Sequence, residues 1–140
     1  MIRFKSERIS TEFLHRLDPR LRAIALETAV WLRNQELPVD LVVTCVNRTP
    51  DENKADGGKP TSAHLVGRAI DIRTRDWPDG TTEKVMARLY RLWPGTCLYL
   101  LHHDVGGGMH LHAQIKMKYH LTDFACGDDR ENNLLSREGE

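Results

Sequence analysis

The segment Met109-His110-Leu111-His112-Ala113-Gln114-Ile115-Lys116 alternates apolar and polar residues throughout. A period of two means a strand, with Met109, Leu111, Ala113 and Ile115 on the face that seeks a core. Val105-Gly106-Gly107-Gly108 just before it reads as a turn, and Cys97 to His102 as another strand. The two are expected to pair as a hairpin, which commits this part of the chain to an antiparallel sheet.

Further upstream, Leu41 to Val46 reads as a buried strand and Arg68 to Arg73 as a short one. One helix precedes these strands and a second separates them from the hairpin. Asp18-Pro19 is an N-cap followed by proline at the first helical position. From there to about Gln35, Leu21, Ile24, Ala25, Thr28 and Leu32 keep helical spacing, and Ala23, Leu26 and Val30 widen the apolar face. Asp79-Gly80-Thr81-Thr82 opens the second helix, whose stripe is Val85, Met86, Leu89, Leu92 and Trp93, and Pro94-Gly95 ends it. Residues 47–67 have no clear period, and a loop this long in a small domain is often functional. The expected fold is α+β, a small and mostly antiparallel sheet flanked by two main helices.

At 140 residues the chain reads as one domain, residues 1–140, with the last ten or so expected to be disordered. Twenty Lys and Arg balance twenty Asp and Glu, which argues against a nucleic-acid or membrane-surface coat. No apolar run reaches the ~18 residues of a membrane span. MIRFKSERIS lacks the apolar stretch of a secretory signal, so the chain is expected to be cytoplasmic as synthesised. Three widely spaced cysteines without a CxxC pair make a poor disulfide framework or thiolate zinc site. Cys45 and Cys97, within apolar runs, read as small buried thiols.

Of seven histidines, His102, His103, His110 and His112 fall within eleven residues. Alternation puts His110, His112 and Gln114 on one strand face, where a half-buried strand ordinarily carries Lys, Thr or Glu. His64 closes the long loop. Asp71 lies in a strand opposite Ile70 and Ile72, and a carboxylate there must be paired or bound to a cation. Arg48, Arg68 or Arg73 could supply the pair. Alternatively, one carboxylate and two imidazoles make the open three-ligand set of a catalytic zinc. Gly67 allows an unusual backbone angle or a close approach just before the strand.

Ser62 to Asp71, SAHLVGRAID, resembles the S-x-H-x-x-G-x-A-x-D signature of the D-Ala-D-Ala carboxypeptidase-like zinc peptidases, all five fixed positions matching. These share a fold with the hedgehog signalling domain and include phage endolysins. Their second signature, an HxH on a later strand, is similar to His110-Leu111-His112, and Val43 to Thr49 resembles the segment preceding the first ligand. The resemblance implies one Zn2+ per chain, held by His64, Asp71 and His112. It implies that Arg48 holds a substrate carboxylate, that Ser62 fixes the ligand loop beside the substrate, and that His110 acts on the scissile carbonyl or on a proton. Many members carry an acidic base three residues before the last ligand, where this chain has Met109. The base is therefore sought first at His110 and second at Asp104, with His103, Glu83 and Asp76 also open. The implied activity is cleavage of peptidoglycan stem peptides, of carboxypeptidase or L-Ala-D-Glu endopeptidase type, by a monomer that reaches the wall through lysis or phage machinery. A non-catalytic zinc-binding module of the same fold is the alternative.

Overall fold

A computed structural model describes residues 1–94, 97–104 and 107–116. In chain order the elements are β1 (Ile2–Phe4), α1 (Glu7–His15), α2 (Pro19–Arg33), β2 (Leu41–Cys45), α3 (Pro50–Ala55), a 3-10 turn (Ala63–Val66), β3 (Ala69–Arg73), α4 (Thr81–Leu92), β4 (Leu98–Asp104) and β5 (Met109–Ile115). The five strands form one sheet in the order β1-β2-β3-β5-β4. Only the β1–β2 pair is parallel. The fold is α+β, as the residue pattern implies. The C-terminal segment expected to be disordered lies outside the described residues.

Alternation divides the labour between the two sheet faces. Val43, Ile72 and Leu111 form one cross-strand row of the apolar face, and Ile70, Ala113 and Leu100 form another. All six are buried, and burying a Leu, Ile or Val side chain contributes about 2 kcal/mol. Helices α2 and α4 join this core through Leu21, Ile24 and Leu32 and through Val85 and Leu89. The Asp18 side chain accepts from Arg20 N at 2.9 Å and so caps α2, with Pro19 following. Leu26 and Val30, expected to widen the buried face of α2, are exposed, as is Leu92 of α4. Each lies off its helix's packed stripe, where a lone apolar side chain in water is ordinary. Cys97 is buried but disulfide-bonded, which corrects the reading of a free thiol. Strand β4 lies at the sheet edge, and Leu100 N donates to Tyr90 Oη from α4 at 2.9 Å, occupying an edge donor.

The N-terminal elements and the helix in the long loop were not evident from hydrophobic period. Helix α1 is capped by the Ser6 side chain and packs Phe13 against Phe4 of β1, ring centroids 5.1 Å apart. Helix α3 opens with a capping box, Thr49 with Glu52, and Pro50 in its first turn. Arg8 of α1 reaches Glu52 with two guanidinium nitrogens, at 2.5 and 3.0 Å. The long loop is thereby tied to α1.

Candidate functional site

The second sheet face carries the polar residues in register. Cys45, Asp71, His112 and Leu101 stand side by side across β2, β3, β5 and β4. The next row holds Val42, Arg73, His110 and His103. His64 comes from the 3-10 turn before β3. Its N-cap, Ser62, accepts from His64 N at 3.4 Å, and Gly67 ends the turn with φ of 67°. A Cβ on Gly67 would lie 2.1 Å from the Arg16 carbonyl oxygen, while the Gly67 carbonyl accepts from Asp18 N at 2.8 Å. Both expected uses of this glycine, the backbone angle and the close approach, are therefore present.

His64 and Asp71 are buried and His112 is half-buried. His64 Nε2 lies 3.2 Å from Asp71 Oδ2, and His112 Nδ1 lies 2.8 Å from Asp71 Oδ1. The opposite ring nitrogens are already engaged. His64 Nδ1 donates to the Val46 carbonyl at 2.9 Å, and His112 Nε2 donates to Gln114 Oε1 at 2.8 Å. Carbonyl oxygens only accept, so Nδ1 of His64 and Nε2 of His112 carry the ring protons. In their neutral forms both imidazoles then aim a lone pair at a carboxylate that can itself only accept. Three acceptors converge, and only added protons or a cation can satisfy them. A metal-ligating histidine typically donates its second ring N–H to a carbonyl in just this way.

The charge balance follows from this convergence. Burial disfavours the charged form of His64, but the bond to Asp71 and the adjacent Cys45 outweigh it and push its pKa up to about 10. Burial would raise the Asp71 carboxyl, yet bonds from His112 and His64 hold it well below the ordinary carboxylate range. His103 is lowered, by burial first and then by the neighbouring His112. The His103 and His112 ring centroids lie 6.1 Å apart.

Ligand atoms of Cys45, His64 and Asp71 lie within 4.8 Å of one another, near enough to share a cation. However, Cys45 Sγ approaches His64 at Nδ1, 3.6 Å away, on the side bonded to Val46. Asp71 meets the same ring at Nε2. One imidazole lone pair cannot serve both, and it is His64 Nε2 and His112 Nδ1 that each face one oxygen of Asp71, Oδ2 and Oδ1 respectively.

Other residues singled out in the sequence are placed as follows. Arg48 reaches the site, with one nitrogen 3.5 Å from Asp71 Oδ2 and Nε 3.3 Å from Asp56 Oδ2. His110 is buried on the face of His112, and its Nδ1 donates to the Gly108 carbonyl at 2.6 Å, which leaves Nε2 as an acceptor. His103 pairs with His110 in the ladder and lines the same groove. Asp104 is not brought there: it pairs with Met109 on the opposite face and accepts from Gly108 N at 3.3 Å. His102 shares that opposite face and bonds Thr74 Oγ1 at 2.9 Å. Glu83 and Asp76 do not line the groove. The sequence marks Gln114 only as a face-mate of the histidines; its orienting bond to His112 depends on side-chain geometry that residue spacing does not carry.

The groove over these residues has a volume of about 1760 Å³ and is walled by the 45–67 segment on one side and β4 on the other. No described helix is long and apolar enough to cross a membrane. Searches of curated proteins and of solved structures each returned no match. A family model, Peptidase M15, matches residues 12–100. The match takes in Arg48, His64 and Asp71 and stops before His110 and His112. It covers more than half of the 140 residues, and the chain belongs to the M15 family of D-Ala-D-Ala carboxypeptidase-like, metal-dependent peptidases.

Proposed function

We propose that the protein is a zinc peptidase that cuts peptide stems of bacterial peptidoglycan, at a D-Ala-D-Ala or an L-Ala-D-Glu bond. The observation that carries this reading is that His64 Nε2 and His112 Nδ1 each face an oxygen of the buried Asp71 carboxylate, with both outer ring nitrogens already donating. Two nitrogens and one oxygen, with a groove above them, suit a zinc site that keeps a position open for water. Bound zinc supplies a Lewis acid that lowers the pKa of its water towards ~7 and polarises the carbonyl under attack.

The remaining tasks fall to the protein. Arg48 presents a planar guanidinium beside the ligands, suited to a substrate carboxylate. Asp71 and Asp56 hold that guanidinium in place before substrate arrives. His110, with Nδ1 committed to Gly108, offers Nε2 to take a proton from the attacking water and return it to the leaving amine. Ser62 fixes the turn that aims His64. Release by lysis or phage machinery would bring a chain of this kind to the wall.

The test is digestion of defined muropeptides with and without chelator, with products read by mass and zinc by elemental analysis. Chelator-sensitive cleavage with about one zinc per chain is expected. A second reading, a zinc-binding module without activity, is favoured by Met109, which occupies the family's base position but lies on the far sheet face, 37% exposed. Bound zinc with every muropeptide intact would select it.

A further inference from the structure

Arg73 is the arginine of the groove without a carboxylate. Arg8 pairs with Glu12 and Glu52, and Arg48 with Asp56 and Asp71. Arg3, in the same cross-strand row as Arg73, pairs with Asp40. Arg73 is half-buried in the groove wall, yet among the described residues no carboxylate lies within 4 Å of it and no side-chain hydrogen bond uses its guanidinium. Its guanidinium donors therefore stay available to a ligand lying in the groove.

Its position says which ligand. Arg73 follows Asp71 by two residues on the same face of β3, so the two side chains leave the strand ~7 Å apart. On its other side it stands opposite His110. Arg48 lies on the loop beyond the other end of this row pattern, where its N–H donates to the His64 carbonyl at 3.0 Å. The metal-ligand row thus has an arginine on either side along the strand direction. Six Lys and Arg line the groove against four Asp and Glu, and all four acids are already engaged with Arg8, Arg48 or the two histidines. The chain as a whole is neutral, but this groove is cationic.

The geometry points to Arg73 as a second carboxylate anchor, so that the site prefers peptides bearing a carboxylate on each side of the bond to be cut. This rests on the peptidase reading above and narrows its substrate class. In a stem peptide cut before a terminal D-Ala, Arg48 takes the terminal carboxylate. The second charge then comes from the side chain of the third residue, one residue away from the attacked carbonyl. A diaminopimelate stem supplies it; a lysine stem keeps the same side-chain ammonium but lacks the carboxylate.

The experiment compares two pentapeptides, L-Ala-γ-D-Glu-diaminopimeloyl-D-Ala-D-Ala and the same peptide with the diaminopimelate side-chain carboxylate amidated. Charge is removed and shape kept. The zinc-loaded protein is expected to favour the acid about tenfold in kcat/KM, mostly through KM, the scale of one charge-assisted bond. Arg73→Gln, with zinc content checked, is expected to bring the acid-to-amide ratio close to one, and Arg73→Lys to restore part of it. Equilibrium binding of both peptides is measured in parallel. If neither peptide is cut yet binding shows the Arg73-dependent preference, the anchor stands and the peptidase reading falls. Equal treatment of acid and amide by the wild type, or a preference that survives Arg73→Gln, overturns the anchor while leaving cleavage itself intact.

Discussion

Asp71 and His112 stand directly opposite one another in the β3–β5 ladder, and their side chains meet at 2.8 Å although 41 residues separate them in sequence. The backbone ladder sets that distance, so the sheet itself positions two of the three proposed ligands. His64 is the piece added by a loop, and its ring is fixed by Val46 and its backbone by Ser62.

The ligand set can be tested against the alternative built on Cys45. His112→Ala and His64→Ala should each lose stoichiometric zinc, while Cys45→Ser should keep it, as read by elemental analysis of dialysed protein. Zinc lost from Cys45→Ser and kept in His112→Ala would reverse the assignment. Zinc at a thousandfold excess over its Kd adds about 4 kcal/mol to folding stability, so Tm should follow the metal content of each variant.

Gln114→Ala removes the acceptor that holds His112 in the tautomer with Nδ1 free. A loss of about 10- to 100-fold in zinc affinity is expected, the usual scale for a residue that orients a ligand. A competition titration with a chromophoric chelator measures it. Unchanged affinity would show that the β5 backbone alone orients His112.

The proton acceptor is tested by separating His110, His103 and Asp104. His110→Ala should keep zinc and lose ~10²-fold or more in kcat. Asp104→Asn should be nearly silent in activity, since Asp104 lies on the other sheet face. His103→Ala should fall between them, because its ring packs edge-on to His112. Activity lost in Asp104→Asn with zinc retained would move the base to the turn.

The chelated protein should depend on pH in a defined sense. His64 rises from 6.5 to about 10 on folding, so its contribution is complete below about 6.5 and fades as pH climbs towards 10. Asp71 is depressed below 3.8, so its contribution is present above that value and fades as pH falls. The Tm of metal-free protein should therefore be highest between about pH 4 and 6.5 and decline above. Zinc should remove the alkaline decline, because the cation replaces the proton. A flat alkaline limb without metal would argue against the His64–Asp71 coupling.

Gly67→Ala should destabilise by more than about 2 kcal/mol, since it adds a left-handed penalty to a clash with the Arg16 carbonyl. Denaturant midpoints would show it. The helix junction at Arg16–Asp18 and the ligand turn would have to separate, so zinc affinity should fall as well.

Much of this was legible in the chain. Alternation alone places Leu111 inward and His110, His112 and Gln114 outward, and it puts Asp71 opposite Ile70 and Ile72. Helix α2 could be read from Asp18-Pro19 and its stripe, although Leu26 and Val30 face water because only part of the helix surface meets the sheet. What could not be read was register. Nothing in the sequence says that Asp71 pairs with His112, or that Asp104 falls on the far face, because strand pairing depends on contacts between distant segments. Helix α3 was missed because it is six residues long, too short to show a period; Thr49-Pro50-x-Glu52, a capping signal, was its only trace.

The two-phase reading of β5 restricts how this protein can change over time. Removing or inserting one residue within the strand would exchange its faces, sending His112 into the interior and Leu111 into the groove. Core and chemistry would be lost in the same event. Descendants of this chain are thus free to lengthen their surface connections, and to trade apolar residues of similar size, but the spacing between His110 and Ile115 is locked by two independent pressures. Divergence in what is cut should accordingly be written in the groove walls, at positions such as Arg73 and Tyr99, while the strand count and phase stay constant.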